Sequence, residues 1–280
     1  MKERILTRDI IKRFKEYLIL EEKSEATIEK YVRDVCMFSA FADSEIITKE
    51  TVIAYKNKLK NVYAVRSVNS MLASINSLFA FLCWYDLKVK SIKVQQQIFC
   101  PEEKELSRGE YERLVKAAKA RKNERLCLIL QTICGTGIRV SELQFITVES
   151  ARRGEATVSC KGKTRAVFIV RELQKKLLRY AAGQGITEGS IFITRGGKPI
   201  SRTNIWRDMK GLCKQAGVNP NKVFPHNLRH LFARVFYGIE KDIAKLADIL
   251  GHSSINTTRI YIISTGKEHR RYIENMKLII

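Results

Sequence analysis

No two of the seven cysteines stand at C-x-x-C spacing; they lie at 36, 83, 100, 127, 134, 160 and 213. From such a scatter neither a zinc site nor a disulfide framework is expected, and most of the seven read as small core residues. No apolar run is long enough to span a bilayer. The opening segment MKERILTRDIIKRF has no signal-peptide core, so a reducing, cytoplasmic setting is expected. Walker loops, internal repeats and low-complexity stretches are all missing. Histidine is scarce, with four in 280 residues, so a cluster of histidines is informative. Acidic residues are outnumbered: 51 Lys and Arg against 29 Asp and Glu give a formal charge of +22. That excess suits a polyanion, because each phosphate neutralised releases condensed counterions. Hydrophobic residues make up 45% of the chain, which is enough for ordinary cores and excludes a disordered protein.

The length suggests two domains. Charge divides unevenly between them, +5 over residues 1–100 and +17 over 101–280. The first part reads as helical. Thr7 caps a helix with Ile10, Ile11, Phe14 and Leu18 on one face, and Ser24 caps another with Ile28, Tyr31, Val35 and Phe38. Thr48 precedes a third through Val52, Tyr55 and Leu59. A fourth runs from Val68 through Met71, Leu72, Ile75, Leu78 and Phe79 to Leu82. Four short helices without a strand pattern predict a compact bundle over 1–87. Residues 88–106 lose the periodicity and read as a linker. Ser107 and Glu110 then form a capping box that opens a second domain, 107–280.

Within that domain Leu126, Ile129, Leu130 and Ile133 mark a helix stopped near Gly135. Ala156, Val158 and Cys160 alternate with polar residues, KGKT follows, and Val167 and Ile169 alternate again. This predicts a β-hairpin with its tip at Lys161–Thr164, with Ile191–Thr194 as a third strand. Helices return over Thr203–Ala216, from Pro225 to Tyr237, from Lys241 to Leu250, and after Asn256. The fold class is mainly α with a small β-sheet.

Three segments carry candidate chemistry. In GTGIRVSEL, residues 135–143, Arg139 leaves a glycine-bracketed turn and Glu142 lies one helical step along the same face. A guanidinium beside the free N–H groups of a helix start can fork a phosphate; the bland alternative is a surface Arg–Glu pair. In PHNLRHLF, residues 225–232, His226 and Arg229 share a face, offering a proton carrier and a phosphate clamp together. The spacing of His226 and His230 invites a zinc reading, but Asn227 stands where H-E-x-x-H needs Glu; His230 is better read as a packing residue. In ILGHSSINTTRIYI, residues 249–262, Gly251 ends a helix, His252 follows at once, and Asn256 caps the helix that carries Tyr261. Three of the four histidines fall in these last two segments.

Taken in order, GTGIRVSEL, KGKTR, HNLRHLFA, LGHSS and TTRIY resemble the tyrosine recombinases, including phage and transposon integrases and the Xer type. The motifs cover about residues 107–275, and the helical first part is similar to the family's SAM-like core-binding domain. The resemblance implies a helical core-binding domain followed by an α+β catalytic domain. It makes Arg139 and Arg229 the phosphate-binding arginines, His226 the acid/base histidine, His252 a phosphate contact, and Tyr261 the nucleophile. Glu142 becomes a supporting residue. Lys161 or Lys163 protonates the leaving 5′ oxygen; Lys161 is the choice because it directly precedes Gly162. The implied activity is cutting and rejoining of double-stranded DNA through a 3′-phosphotyrosyl bond, for integration, excision or Xer-type resolution. No metal or other cofactor is implied.

The chemistry requires these residue types. Attack on an anionic phosphodiester adds charge that two arginines and a histidine can stabilise. A phenol with a pKa near 10 needs a base close by, and the departing alkoxide needs a proton. Because exchange joins four strand ends, a homotetramer on two synapsed sites is expected. The partly apolar tail, with Tyr272, Ile273, Met276, Leu278, Ile279 and Ile280, either packs on its own domain or docks in a neighbouring protomer. The first bundle begins at once, so no additional arm-binding domain is expected ahead of it. Rival readings are a non-catalytic DNA-binding protein of the same fold, a relaxing topoisomerase, and a metal-dependent nuclease.

Overall fold

The computed structural model describes residues 4–43, 45–93, 104–160, 163–262 and 274–275, and divides into two compact units, Met1–Gln96 and Gln97–Ile280. The first unit is a bundle of α1 (Arg8–Leu20), α2 (Glu25–Ala42), α3 (Lys49–Val62) and α4 (Val65–Phe81). Each helix buries the stripe its spacing predicts: Phe14 and Leu18, Val35 and Phe38, Val52 and Tyr55, and Leu72, Ile75, Leu78 and Phe79. Thr7 Oγ1 accepts from the Ile10 N–H, and Thr48 and Thr51 form a reciprocal box. Ser24 stands at the start of α2 but bonds Thr27 Oγ1 in place of a backbone N–H. Between α2 and α4 the buried Asp34 carboxylate accepts from Lys30 Nζ at 2.5 Å and Ser74 Oγ at 2.8 Å, so the charge taken from water is paired.

Of the segment expected to be a linker, residues 88–92 are tied to the first unit. Asn76 exchanges two hydrogen bonds with Val89, Asn69 two with Ile92, and Lys49 Nζ donates to the Lys88 carbonyl. At the other end Leu106 is buried in the second core, and Glu105 pairs with Arg234.

The second unit contains α5 (Arg108–Ala120), α6 (Glu124–Thr136), α7 (Val148–Arg153), β1 (Glu155–Cys160), β2 (Lys163–Phe168) and α8 (Arg171–Gly183). It continues with α9 (Arg202–Ala216), α10 (Pro225–Glu240), α11 (Ile243–Leu250) and α12 (Ile255–Ile262). Its axis is α6, buried at Leu126–Leu130 and at Thr132 and Ile133, with α5, α8 and α10 packed around it. Ser107 and Glu110 form the predicted capping box of α5. The stop of α6 falls at Gly137, two residues beyond the expected Gly135, because Gly137 takes the left-handed conformation at φ 66°.

β1 and β2 form the antiparallel hairpin, paired from Glu155↔Phe168 to Cys160↔Lys163. The third strand expected at Ile191–Thr194 is not there. Among the described residues the sheet has two strands, and this segment makes only isolated bridges, Thr147↔Ser190 and Ile193↔Pro199. Ile191 N–H donates to the Ile146 carbonyl and Ile200 N–H to Phe192, so the segment folds back on itself around Gly197 and never reaches the hairpin edge. α12 begins at Ile255, one residue before the expected cap, and the Asn256 N–H donates to Ser254 Oγ; Ser254 has the cap role assigned to Asn256.

Candidate active site

Three chain ends converge in the second unit: the turn after α6, the first turns of α10, and the α11–α12 corner. Gly137 lets α10 approach α6, since a Cβ at that position would lie 2.5 Å from Phe232 Cδ1. Two residues later Arg139 heads a short 3₁₀ turn, Val140–Phe145. Glu142 on that turn is only 2% exposed. Its carboxylate accepts from the Arg139 backbone N–H at 2.8 Å, from Arg139 Nη1 at 2.8 Å and from Arg165 Nη2 at 2.7 Å. The alternative of a surface Arg–Glu pair is therefore excluded. Arg139 Nη2 continues to the Gly251 carbonyl at 3.2 Å.

α10 starts with Pro225, whose missing N–H costs nothing at that position. One turn on, Arg229 is 1% exposed and donates to the Gly137 carbonyl at 2.5 Å and the Leu250 carbonyl at 2.6 Å. These are the open C-terminal ends of α6 and α11, where the helix dipoles favour a cation. Arg229 Nη2 also lies 3.0 Å from His252 Nε2. A guanidinium only donates, so Nε2 accepts and the imidazole proton sits on Nδ1, which is 2.8 Å from Thr258 Oγ1. Arg229 Nε is buried without a hydrogen-bond partner.

Tyr261 on α12 is 6% exposed and enclosed by rings. His230 stacks on it with centroids 4.1 Å apart, and the rings of His252 and His226 lie at 5.0 and 5.2 Å. The Arg229 guanidinium is 6.0 Å from the Tyr261 ring centre. Burial, with Arg229 and Arg139 next, pushes His252 down to about 4; burial, His226 and Arg229 push His230 down to about 3. His226 is exposed at the rim, yet enough of its ring is desolvated to lower its pKa, with Arg229, Arg139 and Arg202 adding to the effect. At neutral pH the site thus holds neutral imidazoles, three guanidiniums and one carboxylate. That surplus of positive charge is suited to an incoming anion, and a neutral His226 can accept a proton.

The structure brings Arg139, His226, Arg229, His252 and Tyr261 together. Lys161 lies outside the described residues, as do the apolar tail residues, and Lys163 opens β2. Sequence reasoning passed over Thr258 and Arg165, and read His230 as packing only. His230 does pack, but against Tyr261. The Thr258 contact was foreshadowed by a polar residue one helical step from Tyr261; Arg165 closes the quoted KGKTR motif, but its partner, 23 residues away, was not legible.

The chain matches the profile of the phage integrase family over residues 104–268 and that of the phage integrase N-terminal SAM-like domain over 11–85. It is 31% identical to a tyrosine recombinase XerA from Pyrococcus horikoshii over 291 aligned positions, covering 100% of this chain and 98% of the relative. A tyrosine recombinase XerC from Pediococcus pentosaceus is 28% identical, over 94% of this chain and 97% of the other. Among solved structures, a XerA recombinase superposes with a TM-score of 0.55 at 27% identity, covering 98% of this chain and 100% of that one. A lambda integrase tetramer bound to a Holliday junction shares the fold, with a TM-score of 0.75 at 17% identity over 93% of this chain and 78% of that one.

Proposed function

The chain belongs to the phage integrase family, the tyrosine recombinases, and from that premise we propose that Tyr261 cuts duplex DNA and holds the 3′ end covalently. The Tyr261 oxygen attacks the scissile phosphorus, an O–P bond forms, and the bond to the 5′ oxygen breaks. His226, neutral beside the ring, takes the phenolic proton. Arg139 and Arg229 fork the non-bridging oxygens while charge builds there, and His252 supplies the third contact once the phosphate displaces its bond from Arg229 and the ring carries a proton on Nε2. Lys161 gives the leaving 5′ oxygen its proton. Attack by the 5′ hydroxyl of a partner strand then reverses each transfer. The phosphotyrosyl bond conserves the energy of the phosphodiester, so rejoining needs no nucleotide.

The observation that carries this reading is the Tyr261 ring lying between three imidazoles and the Arg229 guanidinium. In the same reading the bundle of 1–87 is the core-binding domain, 88–106 the connection, and 107–280 the catalytic domain. The protein acts in the cytoplasm on double-stranded DNA as a homotetramer on two synapsed sites. The test is to trap protein on fragmented duplex DNA, recover the covalent fraction and sequence it. Wild type is expected to yield one short site, and Tyr261→Phe to bind that site without forming an adduct. An adduct from Tyr261→Phe equal to wild type would remove Tyr261 from the role. Relaxation of supercoiled DNA without exchange between paired sites would favour the topoisomerase reading.

A further inference from the structure

Arg165 has no part in the chemistry assigned above, yet its side chain is only 12% exposed and forms a wall of the site. It comes from β2, two residues past Lys163, where it pairs with Val158 in the hairpin. Its Nη2 donates to Glu142 Oε2 at 2.7 Å, the same oxygen that accepts from the Arg139 backbone N–H. The other oxygen accepts from Arg139 Nη1. One buried carboxylate thus joins the hairpin to the turn that bears Arg139.

The stem of Arg165 makes a second contact. A Cβ on Gly251 would stand 2.6 Å from Arg165 Cδ and 2.7 Å from its Nε, so the chain before His252 lies directly against this side chain. Gly251 is at φ 64°, and its carbonyl accepts from Arg139 Nη2. A pair serving stability alone would need one cation per carboxylate. Here Arg139 and Arg165 share one carboxylate, which fixes the two guanidiniums relative to each other.

We propose that Arg165 is a positioning residue: it holds Glu142, and through it Arg139, in register with Gly251 and His252. The lysine hairpin, the first arginine and the His252 corner then move as one piece. This inference rests on the recombinase reading. It differs from a direct contact with DNA in that Arg165 acts through Glu142.

The test uses the full chain and a duplex carrying the site recovered by trapping. Arg165→Met is expected to slow adduct formation by about 100-fold, the loss typical of an ångström-scale misplacement, while affinity for the duplex changes by less than about threefold. A duplex with a 5′-bridging sulfur, whose leaving group needs no proton, should be cut as poorly by this variant relative to wild type. In a Glu142→Gln background the same replacement should slow cutting by less than about threefold further, since both changes break one connection. A wild-type rate for Arg165→Met, rescue by sulfur, or effects that multiply in the double variant would each overturn the proposal. Should Arg165→Met fail to fold, Arg165→Lys decides, because it keeps the charge and loses the fork. A rate at least about tenfold down at unchanged affinity supports the proposal, and a wild-type rate ends it. If wild type itself forms no adduct on any duplex, the recombinase reading fails, and not merely the role of Arg165.

Discussion

Gly137 and Gly217 close α6 and α9 in the same way, each as the left-handed residue after the last helical turn, at φ 66° and 58°. Alanine at either position carries the left-handed penalty of about 1–2 kcal/mol. At Gly217 nothing lies within 4 Å of the added Cβ, so that penalty is the whole effect. At Gly137 the Cβ meets Phe232 Cδ1 and Cε1 at 2.5 and 2.6 Å and Leu250 Cδ2 at 3.0 Å. Phe232 must move, and overpacking of this kind adds about 1–3 kcal/mol. Gly137→Ala should therefore lower the thermal midpoint by about 2–12 °C more than Gly217→Ala, at about 2–4 °C per kcal/mol for a unit of this size. Phe232 also lies one turn beyond Arg229 on α10, and the Gly137 carbonyl accepts from Arg229. Gly137→Ala should consequently lose adduct formation as well, while Gly217→Ala keeps it. Circular dichroism melts of the full-length variants, followed by trapping on DNA, measure both effects. Equal midpoints for the two alanines would refute the close-packing argument.

Stability should depend on pH through the three imidazoles at Tyr261. Unfolded histidines titrate near 6.5, so below that value the unfolded chain takes up protons that the folded site refuses. Stability is full above pH 6.5 and falls toward about 4 for His252 and about 3 for His230. Melts should show midpoints dropping between pH 7 and 5, with a shallower drop in His230→Gln; a flat profile would contradict neutral imidazoles. Lys161→Ala should cut an ordinary phosphodiester slowly and a 5′-bridging phosphorothiolate at close to the wild-type rate. Rescue of Lys163→Ala alone would transfer the role by two residues. Affinity for duplex DNA should fall linearly in log Kd against log salt, by about 0.9 per phosphate contact, and a slope near zero would argue against backbone binding.

Much of this protein is determined locally. Short-range hydrogen bonds place helix starts, and so Thr7, Thr48 and Ser107 could be read directly: each caps through a backbone N–H or side chain three residues away. The hairpin is legible for the same reason, since Ala156, Val158 and Val167 alternate with polar neighbours and do face the core. Candidate chemistry was visible because histidine is rare in this chain and three fall within two short segments.

Tertiary structure decided what depends on distant partners. Ile191–Thr194 has the residues of a strand, but its N–H groups find Ile146 and its own return segment, so no third strand forms. Residues 88–92 have no helical period, yet two asparagine side chains from α4 hold them to the bundle. Arg229 reads from sequence as an arginine on a helix face. Only the fold puts it 1% exposed between two helix ends, one 92 residues away and the other 21, where open carbonyls hold the guanidinium in place. The same holds for Glu142 and Arg165: a carboxylate in a low-dielectric wall needs compensation, and which cations supply it is set by packing across the chain and not by spacing along it.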